Sequence, residues 1–284
     1  MVAEMPAFQS AFGCEDSFAT YTLLRIWAFT RMRFLSLLST PKKARRAAGF
    51  FKRQCVHAQM RNSLCAVVRI YVDAIMRTIL MHTPKGGSGK STLSREMAAA
   101  SVLRGQRTAL IDLDPQGTIT GWYGRREGEQ PVLVAPEALT GDNLEPIRAS
   151  GIEFLVIDTP PGAPSFMPRL FEQADVVLVP VRPSPDDLLA AAPIAANLAS
   201  HPRWAFVLTQ ATPRSRLAYG AVRQLAAIGR VAPVTIGFRA DFPAAAIEGK
   251  AAVEFKGTKA ADEVTELRMY VDTLIGIKNG KAKG

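Results

Sequence analysis

Lys85-Gly86-Gly87-Ser88-Gly89-Lys90-Ser91-Thr92 is the stretch that decides how this 284-residue chain reads. Residues 78–83 before it have the composition of a buried strand, and residues 91–103 after it have that of a helix. A strand, a glycine-rich turn and a helix N-terminus together make a phosphate cradle. Glycines let backbone N–H groups turn inward, and the helix end adds positive potential. In such a loop Lys90 reaches the terminal phosphates and Ser91 supplies a hydroxyl to a divalent cation. Pro84 holds the place where the commonest form of this motif has its first glycine, so the matching pattern is K-G-G-x-G-K-[ST], with an additional lysine at Lys85. Three glycines at set positions arise by chance roughly once in three thousand sites at about 7% glycine usage. Lys85 is poorly placed for its own terminal phosphate, and better placed to reach a nucleotide across a dimer interface.

Outward from the loop, short β-branched or leucine-rich runs alternate with helical stretches. Strands are expected at residues 78–83, 108–112, 153–158, 176–181, 204–209 and 234–238, several of them apolar throughout, as strands covered on both faces should be. Helices are expected near 91–103, 186–198 and 217–228. A last helix at 260–275 carries Val264, Leu267, Val271 and Leu274 at helical spacing. The implied fold class is α/β: a doubly wound, mostly parallel sheet with helices on both faces, the P-loop NTPase architecture.

Two acidic motifs end expected strands: Asp112-Leu113-Asp114-Pro115-Gln116-Gly117 and Asp158-Thr159-Pro160-Pro161-Gly162. Ligands of open α/β sheets bind at this carboxyl edge. Asp158 can hold a Mg²⁺ water there, while Asp114 orients the attacking water. The loops after both residues are natural switches for sensing a terminal phosphate.

The chain carries 35 Lys and Arg against 25 Asp and Glu, a net charge of +10, unevenly distributed. Residues 1–75 hold 11 basic and 4 acidic side chains, net +7, which leaves +3 for residues 76–284. The same boundary separates all three cysteines, Cys14, Cys55 and Cys65, from a cysteine-free remainder. Scattered cysteines make neither a disulfide framework nor a zinc site, so a reducing cytoplasm is the expected setting. The apolar stretch 21–38 is interrupted by Arg25, Arg31 and Arg33, too soon for a membrane span. Two segments are therefore expected: a basic N-terminal extension, 1–75, and a nucleotide-binding domain, 76–284. In the extension, residues 22–38 read as a crudely amphipathic helix and 41–46 as a basic linker.

The loop, the two acidic motifs and Val179-Pro180-Val181-Arg182-Pro183-Ser184-Pro185-Asp186 together resemble the ParA/MinD group of deviant Walker ATPases, most closely the small ParA-type partition proteins. The resemblance spans roughly residues 77–277. It implies ATP and Mg²⁺ as ligands. Gly86, Gly87, Ser88 and Gly89 would wrap the phosphates, Thr92 would touch the α-phosphate and Pro183 would border the base. Lys85 becomes the lysine that crosses an ATP-bound homodimer, Lys90 the phosphate lysine of its own subunit and Asp114 the hydrolytic residue. Ser91 becomes the metal ligand, supported through water by Asp112 and Asp158. It further implies non-specific DNA as a partner, with Arg214, Arg216, Arg239 and Lys250 as contacts and Arg223 on a neighbouring segment. A ParB-like or small DNA-binding adaptor and a cytoplasmic, nucleoid-associated location follow from the same likeness.

Iron–sulfur members need cysteine ligands, and residues 76–284 have none. Two alternatives stay open: a membrane-cycling protein of MinD type, and a nucleotide-dependent small-molecule ligase on the same fold. A membrane role is disfavoured because Lys278, Lys281 and Lys283 are dispersed and the 260–275 stripe reads as a packed face. Residues 1–75 have three readings: an interaction module, a basic helix touching membrane or nucleic acid, or sequence upstream of a translation start at Met76.

Overall fold

The structure, a computed structural model, describes residues 76–139, 144–162, 164–212 and 215–277. The helix expected at 22–38, the linker at 41–46 and Arg214 lie outside the described residues. Those described fall within the unit that begins at Met76.

Six parallel strands form one sheet in the order β3-β2-β4-β1-β5-β6. They are β1 (Arg77–Met81), β2 (Thr108–Asp112), β3 (Val132–Val134), β4 (Phe154–Asp158), β5 (Val176–Val181) and β6 (Trp204–Leu208). The helices are α1 (Lys90–Val102), α2 (Thr118–Tyr123), α3 (Glu145–Ala149), α4 (Met167–Gln173), α5 (Pro185–Asn197), α6 (Arg216–Ala226), α7 (Asp241–Ile247) and α8 (Lys259–Ile275). Side chains alternate across a strand, so every central strand divides between two cores. Ile79, Met81, Val156, Leu178 and Val207 face α1, α7 and α8. Leu80, Ile157, Val177, Val179 and Leu208 face the layer that includes α4, α5 and α6. This double burial is why these strands read as continuous apolar runs.

Two expectations need correction. β3 was not anticipated: three half-exposed residues at the sheet edge are too few for a period to register. Conversely, 234–238 is not a strand. The chain there runs beside β6, with Ala232 N–H donating to the Phe206 carbonyl at 2.8 Å and Ile236 N–H to the Leu208 carbonyl at 2.9 Å. Four residues on one side thus span two on the other, a bulge around Pro233, which has no N–H to give the ladder.

The helix expected at 260–275 is α8, and its stripe is packed: Val264, Leu267 and Val271 are fully buried in the α1 layer. Among the described residues, no helix is long and apolar enough to cross a membrane. The connections from β1 and β4, which are neighbours, leave in opposite directions along the sheet. That reversal opens a crevice at their carboxyl ends.

Candidate nucleotide site

The phosphate loop fills that crevice. Gly87 and Gly89 have φ values of 73° and 95°, a region that non-glycine residues rarely enter. Gly89 is the residue before α1, which has no side-chain cap and no acid in its first turn. The leading N–H groups of this 13-residue helix are therefore left for an external acceptor. The residues just after β6 anchor the loop from the side: Thr209 Oγ1 donates to the Ser88 carbonyl at 2.7 Å, and Gln210 Nε2 to the Gly87 carbonyl at 2.6 Å. Gln210 itself has a positive φ of 50°. With these carbonyls held, the loop's inner lining is biased toward donors.

Two lysines divide the loop. Lys90 is buried and curls inward, its Nζ donating to the carbonyls of Lys85 at 3.1 Å and Thr83 at 3.3 Å. Burial lowers its pKa, and the charges of Asp158 and Asp114 partly offset that. Lys85 stands half-exposed at the loop entrance. Beneath the loop, His82 packs edge-on against Phe171 and shares a hydrogen bond with Thr159 Oγ1 at 3.3 Å. Burial first, and then Lys90, push its pKa down to about 4, so it is neutral at physiological pH.

Asp112 and Asp158 are directly paired across β2 and β4. Asp158 is fully buried and accepts from Ser91 Oγ at 2.6 Å and Ser94 Oγ at 2.9 Å. Burial raises its pKa to about 7; the two serine bonds and Lys90 oppose the rise, while Asp112 adds to it. Ser94 was not anticipated, although Ser91-x-x-Ser94 places both hydroxyls on one helix face. Asp112 accepts from Thr120 N–H and Thr120 Oγ1 on one oxygen and from Asp114 N–H on the other. It thereby ties the start of α2 to the end of β2. Asp114 is half-exposed, and its Oδ1 accepts from Gln116 N–H at 3.0 Å.

After β4, Gly162 N–H donates to the Pro84 carbonyl at 3.0 Å, joining the second acidic loop to the phosphate loop. Ser91 and Asp158 already share a proton at hydrogen-bond distance, so a hard cation replacing that proton would meet two oxygen donors. The chemistry of this donor set fits a metal-bound triphosphate. Pro183 is half-exposed in the turn between β5 and α5. Thr92 lies half-exposed in the first turn of α1.

The expected DNA contacts are not gathered in one place. Arg216 and Arg223 are exposed on α6, which packs on β6 at one edge of the sheet. The Lys250 carbonyl accepts from Trp122 Nε1 of α2, on the β2 side, and its ammonium pairs with Glu248 at 3.0 Å. Arg239 is committed to Glu263, Nε to Oε2 at 3.0 Å and Nη2 to Oε1 at 2.5 Å.

The chain matches the CobQ/CobB/MinD/ParA nucleotide binding domain over residues 79–268. It is 30% identical over 207 residues to the maintenance of carboxysome distribution protein A of Halothiobacillus neapolitanus, covering 67% of this chain and 94% of that protein. MinD cell division protein of Aquifex aeolicus shares the fold at a TM-score of 0.57 and 19% identity, over 69% of this chain and 97% of its own. A variant McdA of Cyanothece solved in complex with ATP superposes at 0.56 with 16% identity, over 72% and 98%. With its phosphate loop, paired strand-end aspartates and switch-point crevice, the chain belongs to the ParA/MinD family of deviant Walker nucleotide-binding ATPases.

Proposed function

We infer that this ParA-like positioning ATPase closes as a homodimer over ATP, grips DNA without sequence preference, and lets go when an adaptor stimulates hydrolysis. The observation that carries this reading is the division between the two lysines of one loop. Lys90 is folded into the cradle by two carbonyls, while Lys85 stands at its mouth, where its charge is available to a facing subunit.

Gly86, Gly87, Ser88 and Gly89 would surround the phosphates, with Thr92 at the α-phosphate and Pro183 beside the base. Mg²⁺, when bound, would neutralise triphosphate charge; Ser91 would hold it, with Asp112 and Asp158 acting through water. In hydrolysis, Asp114 orients a water toward the γ-phosphorus through its second carboxylate oxygen. The bond to the β–γ bridging oxygen breaks, ADP leaves, and the water's proton ends on inorganic phosphate. Lys85 and Lys90 balance the negative charge that gathers on the bridging oxygen.

Arg216 and Arg223, exposed on one helix, support a local DNA-facing patch, which Arg214 would extend; Arg239 and Lys250 would meet DNA away from it. The carboxylates facing Arg239 and Lys250 reduce what those two offer to phosphates. The adaptor selects the cargo, and likeness to a carboxysome distribution protein adds a protein body to plasmid and chromosome as cargo classes. Such a cycle places the protein in the cytoplasm, on the nucleoid. A small-molecule ligase on the same fold would need a second pocket for its acceptor, and turnover stimulated by DNA with an adaptor, in the absence of any small acceptor, separates the two readings.

The test is ATP turnover measured with and without DNA, alongside DNA retention at matched salt. Lys90→Ala should lose both together. An Asp114→Ala variant that hydrolyses ATP at the wild-type rate would remove the water-orienting role. Undiminished DNA affinity in Arg216→Glu would remove the patch.

A further inference from the structure

Arg182 follows β5 directly, and its side chain turns back over the phosphate loop. Asp187, in the first turn of α5 and only 4% exposed, holds it in a fork: Nε donates to Oδ2 at 2.9 Å and Nη2 to Oδ1 at 3.0 Å. The backbone N–H of Arg182 donates to Oδ2 as well, at 3.2 Å. Asp187 is fixed in turn, because its own N–H donates to Ser184 Oγ at 3.3 Å, the cap of α5. A guanidinium is planar, so fixing two of its nitrogens decides where the third points. That third nitrogen, Nη1, is directed at the loop: a Cβ placed on Gly87 would lie 3.5 Å from it. The loop cannot draw away on this side, since Gln210 and Thr209 hold the carbonyls of Gly87 and Ser88. An arginine that only braced Asp187 would need the acid alone; this one also presents an oriented cationic donor to the backbone that receives phosphate.

We propose that Arg182 is a third cation of the nucleotide site, donating through Nη1 to a phosphate oxygen. The proposal rests on the nucleotide-binding reading above. The oxygen belongs either to the nucleotide in the same subunit's loop or to one carried by a facing second copy, and the chemistry of the contact is the same in both.

The experiment titrates ADP and ATP into wild type, Arg182→Gln, Arg182→Lys and Asp187→Asn, at protein concentrations below and above dimerisation, with the thermal midpoint of each apo protein recorded. Arg182→Gln should weaken ATP binding by about tenfold or more, the scale of one charge-assisted hydrogen bond. Arg182→Lys should recover part of this, and Asp187→Asn should weaken ATP binding although Arg182 is still present. Weakened ADP and ATP binding at low concentration assigns the oxygen to the same subunit. Loss confined to ATP above dimerisation assigns it to the facing copy. Unchanged affinities in Arg182→Gln and Asp187→Asn, with lowered apo midpoints, would overturn the proposal and leave an ion pair that braces the start of α5. Wild-type protein that binds neither nucleotide would instead overturn the nucleotide reading and this inference with it.

Discussion

The two ends of the central sheet both bury charge, and they do so to opposite effect. At the amino end, Arg268 is 1% exposed and surrounded by partners. It pairs with Asp272, donates to Gln106 Oε1 at 2.7 Å and to Ser101 Oγ at 3.2 Å, and lies over the Phe154 ring at 4.2 Å. Arg104 closes the group on Asp272. At the carboxyl end, Lys90 has only carbonyls to donate to, Asp158 is pushed toward its protonated form, and the opening of α1 has no cap. One end spends its charges on folding. The other leaves its donors turned toward an incoming anion.

Removing a partner at each end should separate these roles. Arg268→Ala takes the buried cation from Asp272, leaving it only the exposed Arg104, and removes the packing on Phe154, with a loss of about 3 kcal/mol in urea unfolding. Nucleotide affinity of the folded fraction should be unchanged. Lys90→Ala should lower ATP turnover by roughly 100- to 1,000-fold, the cost of one preorganised donor to developing charge. Its apo thermal midpoint should stay close to wild type, and a fall as large as that of Arg268→Ala would erase the contrast between the ends.

Acid titration gives the next effect. Glu96, fully buried in the middle of α1, accepts from the N–H groups of Ala252 and Val253, yet burial raises its pKa from 4.5 to about 7. Asp158 rises from 3.8 to about 7. Between the unfolded and folded values the native state binds more protons than the unfolded chain, so stability falls as pH rises from about 4 to 7. Thermal midpoints across that window should decline in wild type and decline less in Glu96→Gln. An equal slope in the two would place the titration elsewhere. The smallest effect is expected at Lys250, exposed with its Glu248 partner, where replacement by Ala should leave the thermal midpoint unchanged.

The loop and the strand-end acids of the candidate site were legible in the chain because their pattern is local. A glycine loop between a strand and a helix has its donors within eight consecutive residues, and Asp112 and Asp158 announce themselves by ending apolar runs. The last helix was legible for the same reason, its stripe repeating over about three turns. β3 was not, being too short for a period, and the 234–238 run misled because its apolar character reflects burial beside β6 while Pro233 breaks the ladder. The role of Arg182 was invisible, since its meaning depends on a loop 95 positions away.

The sequence by itself determined the fold class, the phosphate loop and the order of its acidic motifs, because each rests on neighbours in the chain. Only the tertiary structure decided which charges have partners. It paired Arg239 with Glu263 and Lys250 with Glu248, set Ser94 beside Ser91 on Asp158, and aimed Arg182 at Gly87. Charge acts through space at a few ångströms, and which side chains come that close is settled by packing.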